Sequence, residues 1–393
     1  MSQILNNTLH KKQITYCYTI FIINGMLALS VGLLLPFIRE RADLSYAFAG
    51  VLISFHSIGY IFASFTAGLL PLKIGRKKSA LIFNSSLALS FVLMILSNNH
   101  ALLLLSFALT GVARGSTSNF ATQFINKIAP GVAWIINGLH AMFAVGAFTL
   151  PLMLTFLTST NSDNWFLLIY FMIIMGIVSW LLFFFIPIKE DVATKKSAST
   201  SYEFLKSPIF YLVSATLFFY LCAEQGVIGW LVTYFRNTGL LSYDFSQIMS
   251  SVLWVMILIG RLSVAWLSTK VAREVLLLGM GIGLVVFFTT LMLASSTLWI
   301  FIGVMGFGLS MSGVYATAVT YAGVLMKDYA MTWSFILTFA SLGSITMPTV
   351  IGTVAHHAGI HAGMATITIA VTIALFFICA LIIYSKKLEK QSA

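Results

Sequence analysis

Twelve long apolar runs, parted by short polar gaps, leave this chain one kind of solvent in which to fold. They fall at 14–38, 46–71, 79–97, 101–125, 133–158 and 165–188, then at 208–235, 243–268, 272–295, 297–325, 331–355 and 363–385. A helix that crosses the roughly 30 Å hydrocarbon core of a bilayer needs about 20 such residues. Charged residues make up 8% of the 393, where a soluble domain carries about a quarter. Within lipid each backbone N–H and C=O must find its partner inside the segment, so the runs are expected as helices. The fold class that follows is an all-α membrane protein of twelve transmembrane helices, with no length left for a large domain outside the bilayer. Residues 1–13 are polar, and the run behind them is too long for a secretory signal and lacks a small-residue cleavage site. It is counted as the first crossing.

The formal net charge of +11 would point to nucleic acid in a soluble protein. Here its distribution has another cause. With the N-terminus inside, 17 of the 22 Lys and Arg fall in cytoplasmic segments, three (Arg39, Arg41, Arg236) in outer loops and two (Arg114, Arg261) within spans. Cytoplasmic loops hold such an excess, so both termini are expected in the cytoplasm and the partner of the basic residues is the bilayer, with no nucleic acid. The three cysteines, Cys17, Cys222 and Cys379, lie inside apolar runs and make neither a metal-ligand spacing nor a secreted disulfide framework. His356-His357-x3-His361 has metal-like spacing without neighbouring acids or cysteines, and reads as a loop with incidental histidines. The chain carries no phosphate-cradling G-x-x-x-x-G-K-[ST] and no nucleophile with an aligned base. Neither an enzyme nor a bound cofactor or metal is expected.

One internal offset recurs. A shift of 197 residues lays Arg39 on Arg236, Lys73 on Lys270, Arg76 on Arg273, Gly111 on Gly308, Gly146 on Gly343 and Pro151 on Pro348. Two homologous halves of six spans explain it. The charged, Ser/Thr-rich stretch 189–207 divides them, so 1–188 is read as one six-helix bundle, 189–207 as a cytoplasmic linker and 208–393 as the second bundle.

Two parallel six-helix halves resemble the architecture of a major facilitator, whose site lies at the midplane between the halves. The segment after span 2, Gly68-Leu-Leu-Pro-Leu-Lys73-Ile-Gly75-Arg76-Lys77-Lys78, is similar to that superfamily's signature loop, with Leu72 where the family carries an acidic residue. Basic side chains there meet lipid headgroups and the last helix carbonyls, and Gly75 permits a tight reversal. Span 8, from Trp254 through Gly260-Arg261 to Lys270, resembles the fucose/glucose:proton symporter branch. So do Asn137-Gly-Leu-His140 with Gly146-x4-Pro151 in span 5, Glu224-x5-Trp230-x3-Tyr234 in span 7, and Ser334-Phe with Gly343-x4-Pro348 in span 11. The resemblance implies a monosaccharide-like substrate moved with a proton or sodium ion by alternating access, in a bacterial cytoplasmic membrane, by a protein acting as a monomer. The fucose members carry acids in spans 1 and 4; around Gly32 and Gly115 this chain has none.

Of the eleven acidic residues, Glu224 alone lies deep in a span. A charge at the bilayer centre costs on the order of 2.5–3.5 kcal/mol, so such a residue faces a cavity or a partner. Under the 197 offset Glu224 falls on Leu27 and Arg114 on Met311, so the fold requires a charge at neither place. The resemblance puts spans 1, 4, 7 and 10 around the cavity, which would let Arg114 and Glu224 meet. Three roles for Glu224 stay open: protonatable coupling group, fixed acceptor for sugar hydroxyls, or counterion of Arg114. Arg114 either recognises an anion through its planar fork or braces span 4 through Asn119. Further candidates for the substrate are Asn24, Asn119, Asn137, His140, Gln225 and Tyr315, since amides both donate to and accept from hydroxyls while aromatic faces cover a sugar ring. Asn137 matches the asparagine of the resembled span 5. His56 and His140 either relay protons or hydrogen-bond between helices, and His56 and Gln123 are counted among polar groups of the same space. Two rival functions are organic-anion uptake through Arg114 and a drug-type proton antiporter.

Overall fold

The structure is a computed structural model and describes residues 8–128, 133–186, 202–323, 329 and 331–392. Among these the long elements are all helices: α1 (Thr8–Arg41), α2 (Tyr46–Leu69), α3 (Arg76–Leu96), α4 (His100–Ile128), α5 (Ala133–Thr158) and α6 (Trp165–Phe185). Then come α7 (Pro208–Thr238), α8 (Tyr243–Leu267), α9 (Arg273–Met292), α10 (Thr297–Thr320) and α11 (Thr332–Ser392). Eleven of the described helices are long and apolar enough to cross a membrane. The last, α11, covers both of the final two apolar runs, and its helical geometry is interrupted at Gly359, with φ 86° and ψ 160°. Just beyond the break the chain has reversed, because a Cβ on Gly363 would meet the Ile351 carbonyl oxygen at 2.6 Å and the Ala355 Cβ at 2.9 Å.

Local chemistry sets the helix ends. Pro208 opens α7, where its missing N–H costs nothing, and Gly239 closes it at φ 66°. The Ser242 hydroxyl accepts from the Phe245 N–H to start α8. After α2 a single turn, Pro71–Ile74, leads into Gly75 at φ 85°, a conformation that favours glycine, and α3 begins at the next residue. Arg39 and Arg41 lie in the last turn of α1 and not in a loop. The Arg41 guanidinium donates to the carbonyl oxygens of Met94 at 2.6 Å and Ser97 at 3.4 Å, satisfying the orphan end of α3.

The described residues group into two compact units, one within Met1–Leu44 and Val51–Thr194, the other within Ser45–Gly50 and Lys195–Ala393. Inside each, glycines bring helices into backbone contact. In the first, a Cβ on Gly146 would collide with the Ile22 carbonyl oxygen, so α5 lies hard against α1. A Cβ on Gly111 would collide with that of His56, which ties α4 to α2. In the second, Gly343 meets the Phe218 carbonyl oxygen (α11 on α7), and Gly308 meets that of Leu253 (α10 on α8). Gly111 and Gly308 are 197 residues apart, as are His56 and Leu253. Both Pro151 and Pro348 sit inside helices that continue past them. The G-x4-P elements therefore serve as packing points, with the glycine making the close approach.

Candidate functional site

In the first unit a line of polar residues runs along α4 at helical spacing: Thr110, Arg114, Ser118 with Asn119, and Gln123. Residues three and four apart stack on one face of a helix, and this face is served by α1 and α2. Asn24 on α1 is buried and donates through Nδ2 to the Ser118 hydroxyl at 2.9 Å, while its Oδ1 has no partner among the described residues. Asn119 Nδ2 donates to the Ser64 carbonyl oxygen on α2 at 3.2 Å, and Gln123 Nε2 donates to Asn119 Oδ1 at 2.5 Å. Asn119 is thus committed on both sides of its amide. Gln123 is exposed and Asn24 is not.

Arg114 is half-buried, and His56 and Tyr60, which it contacts, are both neutral groups. Its Nη1 lies 3.5 Å from His56 Nε2, and its guanidinium carbon 5.1 Å from the centre of the Tyr60 ring. A guanidinium over a tyrosine face is attracted by the ring quadrupole. The other nitrogen of His56, Nδ1, lies 2.8 Å from the Thr110 hydroxyl, which itself donates to the Phe107 carbonyl oxygen at 2.6 Å. His140, the other histidine of this unit expected at the site, is exposed, and its ring stands edge-on to Phe21 with centroids 5.9 Å apart. The side chain of Asn137 lies outside the described residues.

In the second unit Glu224 is half-buried on α7, with Gln225 beside it buried. One turn earlier Tyr220, buried, donates its hydroxyl to the Met311 carbonyl oxygen on α10 at 3.2 Å. Its ring lies 6.4 Å from that of Tyr315, which in turn meets Trp333 edge to face at 6.2 Å. Tyr315 is half-buried. Glu224 thus lies one turn along α7 from Tyr220, which is the member of that helix in contact with this run of aromatic faces. Trp230 and Tyr234, which share the span 7 motif with Glu224, are committed elsewhere: the indole N–H of Trp230 donates to the Pro348 carbonyl oxygen at 3.2 Å, and the Tyr234 hydroxyl meets His361 Nδ1 at 3.2 Å. Arg261 is exposed on α8.

Several members of these groups were not singled out by sequence reasoning: Thr110, Ser118, Tyr60, Tyr220 and Trp333. The first two were legible as the four-residue spacing through Arg114. The three aromatic residues were hidden among 33 Phe, 14 Tyr and 8 Trp, where nothing but position distinguishes a ring facing polar groups from one facing lipid.

Comparison with known proteins agrees with this architecture. The glucose/mannose transporter GlcP of Bacillus subtilis (strain 168) is 24% identical over 385 residues, covering 91% of this chain and 92% of that protein. A TsgA homolog of Yersinia pseudotuberculosis is 21% identical over 391 residues, covering 95% and 96%. Among solved structures, the nucleoside transporter NupG superposes with a TM-score of 0.73 at 12% identity, over 95% of this chain and 98% of that one. A D-xylose-proton symporter superposes with a TM-score of 0.71 at 15% identity, over 95% and 97%. The sequence profile of the Major Facilitator Superfamily matches residues 17–327. With long apolar helices throughout and a profile match over most of its length, the chain belongs to the Major Facilitator Superfamily and is a multi-pass integral membrane transporter, not an enzyme.

Proposed function

We propose that the protein imports a monosaccharide by alternating access, coupled to protons or sodium. The observation that carries this reading is the polar line on α4. Its amides, hydroxyls and single guanidinium offer donors and acceptors at several levels of one helix, as a molecule with many hydroxyls requires. Asn24 contributes a buried acceptor oxygen with no donor among the described residues, which suits a sugar hydroxyl. In the second unit the aromatic faces of Tyr315 and Trp333 suit the apolar face of a sugar ring, with Glu224 as the accompanying carboxylate. Glu224 is then the coupling or binding residue, and Gln225, Asn119, Asn137 and His140 are secondary contacts. The likeness to GlcP along nearly the whole chain supports a sugar over other neutral solutes. With Gly359 taken as the turn between two crossings, the chain passes the bilayer twelve times, with both termini cytoplasmic, as a monomer in a bacterial inner membrane.

A second reading, uptake of an organic anion, is favoured by one observation: Arg114 meets the neutral groups His56 and Tyr60, which leaves its charge available to a carboxylate or phosphate. The two separate in proteoliposomes loaded at alkaline pH and diluted into acid. The sugar reading expects accumulation of radiolabelled D-glucose that D-mannose competes for and that a protonophore collapses. Failure of every tested hexose and pentose, with uptake of an anion abolished by Arg114→Gln, would replace it with the second reading.

A further inference from the structure

The Thr110–His56–Arg114 chain fixes where the histidine proton sits. Thr110 spends its one hydroxyl hydrogen on the Phe107 carbonyl oxygen, so towards His56 Nδ1, 2.8 Å away, its oxygen accepts. Nδ1 therefore carries the hydrogen. In a neutral imidazole the other nitrogen is then a bare acceptor, and Arg114 Nη1 donates to it across 3.5 Å. Arginine has no acceptor to offer in return, so one protonation state alone, the neutral Nδ1–H form, satisfies all three residues.

The internal repeat supplies a control within the same molecule. Under the 197 offset His56, Tyr60, Thr110 and Arg114 fall on Leu253, Ile257, Phe307 and Met311. The helices that carry them pack alike, Gly111 against the His56 carbonyl oxygen and Gly308 against that of Leu253. Yet the second cluster is dry: Leu253 is 2% exposed, Ile257 4%, Phe307 1% and Met311 1%. The α2–α4 type of contact is therefore made equally well by aliphatic and aromatic side chains. Buried polar networks are costly unless every member is satisfied, so the polar version in the first unit is retained for something other than packing.

We propose that His56 is a positioning residue that ties proton binding to the placement of Arg114. A proton that adds to Nε2 forms an N–H bond with the lone pair that had accepted from Arg114, and the Nη1–H···Nε2 hydrogen bond breaks. The imidazolium and the guanidinium are then like charges at hydrogen-bonding distance in a medium of low dielectric, which repel strongly. Arg114 swings away and its donors become available to substrate. Of the hydrogen-bond partners of His56, Thr110 is fully buried and Arg114 is partly exposed, so the movable member is the less buried one. Among the described residues the charged group facing His56 from α4 is Arg114; on α2 itself Tyr60, with its ring on the guanidinium, is the neighbouring titratable group. This rests on the proposed substrate binding at Arg114, and it adds a proton-responsive group in the first unit to Glu224 in the second.

The test has one arm that needs no substrate. Protein labelled with nitrogen-15 histidine, in nanodiscs, is titrated by NMR, with the His56 signals assigned by their loss in His56→Gln. The expected result is a neutral Nδ1–H tautomer and a titration midpoint that shifts in Arg114→Met, the residue at the matching position of the second half. An Nε2–H tautomer, or a midpoint indifferent to Arg114→Met, overturns the proposal. The second arm follows D-glucose counterflow between pH 6 and 8, where the wild type is expected to show a pH-dependent half-saturation concentration and His56→Gln a flat one. A wild-type profile in His56→Gln overturns the proposal. If the wild type moves no D-glucose, the sugar reading fails and the NMR arm still decides the role of His56.

Discussion

Trp230 on α7 gives its indole hydrogen to the backbone oxygen of Pro348 on α11, 3.2 Å away, with both residues out of contact with solvent or lipid at that point. The bond joins the tryptophan of the span 7 motif to the proline of the second G-x4-P element. Trp230→Phe keeps the ring and removes the donor, so it is expected to cost about 1 kcal/mol. Trp230→Ala also opens a cavity and is expected to cost about 3–5 kcal/mol. Thermal unfolding in detergent should rank wild type above Phe and Phe above Ala. Equal melting temperatures for all three would show that the contact carries no stability.

The glycine contacts make a sharper forecast. Gly146→Leu and Gly343→Leu each drive a side chain into the backbone of the neighbouring helix, and separation of α5 from α1 or α11 from α7 should leave little monodisperse protein on size exclusion. Gly279 on α9 has nothing within 4 Å of its would-be Cβ, so Gly279→Ala should fold normally and gain about 0.5–1 kcal/mol from helix propensity. Normal yield from the two leucine variants would contradict the packing described.

For Glu224 the expectation concerns coupling. Glu224→Gln preserves shape and hydrogen bonding but cannot carry a titrating proton. It should lose pH-driven accumulation of D-glucose at least about tenfold, equivalent to about 1.4 kcal/mol, while counterflow persists. Accumulation at the wild-type level in the mutant would remove Glu224 from the coupling step and leave it a hydroxyl acceptor.

Asn24 distinguishes substrate contact from structural bracing. Asn24→Ala removes both the bond to Ser118 and the unpartnered acceptor. Ser118→Ala removes the first alone. A substrate role predicts that D-glucose affinity falls about tenfold in Asn24→Ala and changes much less in Ser118→Ala. Equal effects from the two would assign Asn24 to helix bracing.

Much of the fold was legible because lipid imposes a strict demand. Each crossing must be long, apolar and self-satisfied, which made the helices visible as uninterrupted runs, and the 197-residue offset exposed the paired glycines. The candidate site was legible only where charge is rare. Arg114 and Glu224 stood out because a charged group within a span is expensive, and Asn119 and Asn24 because amides are scarce there. The partnership of His56 with Arg114 was not readable, since the two lie 58 residues apart on different helices, and only the register set by Gly111 brings them level. The bond from Trp230 to Pro348 was hidden for a related reason: an indole free to cover a ligand and an indole bonded to a carbonyl are the same letter.

The chain turns around at Gly359 with a single non-helical residue, and its φ of 86° is one that side chains bearing a Cβ rarely adopt. Such a corner stores no spare length. A tilt of 332–358 cannot be absorbed there and must be handed on to 360–392, so these two segments are bound to travel as a stiff hairpin. By the same token this bend is a poor place to splice in an epitope tag or a fluorescent reporter.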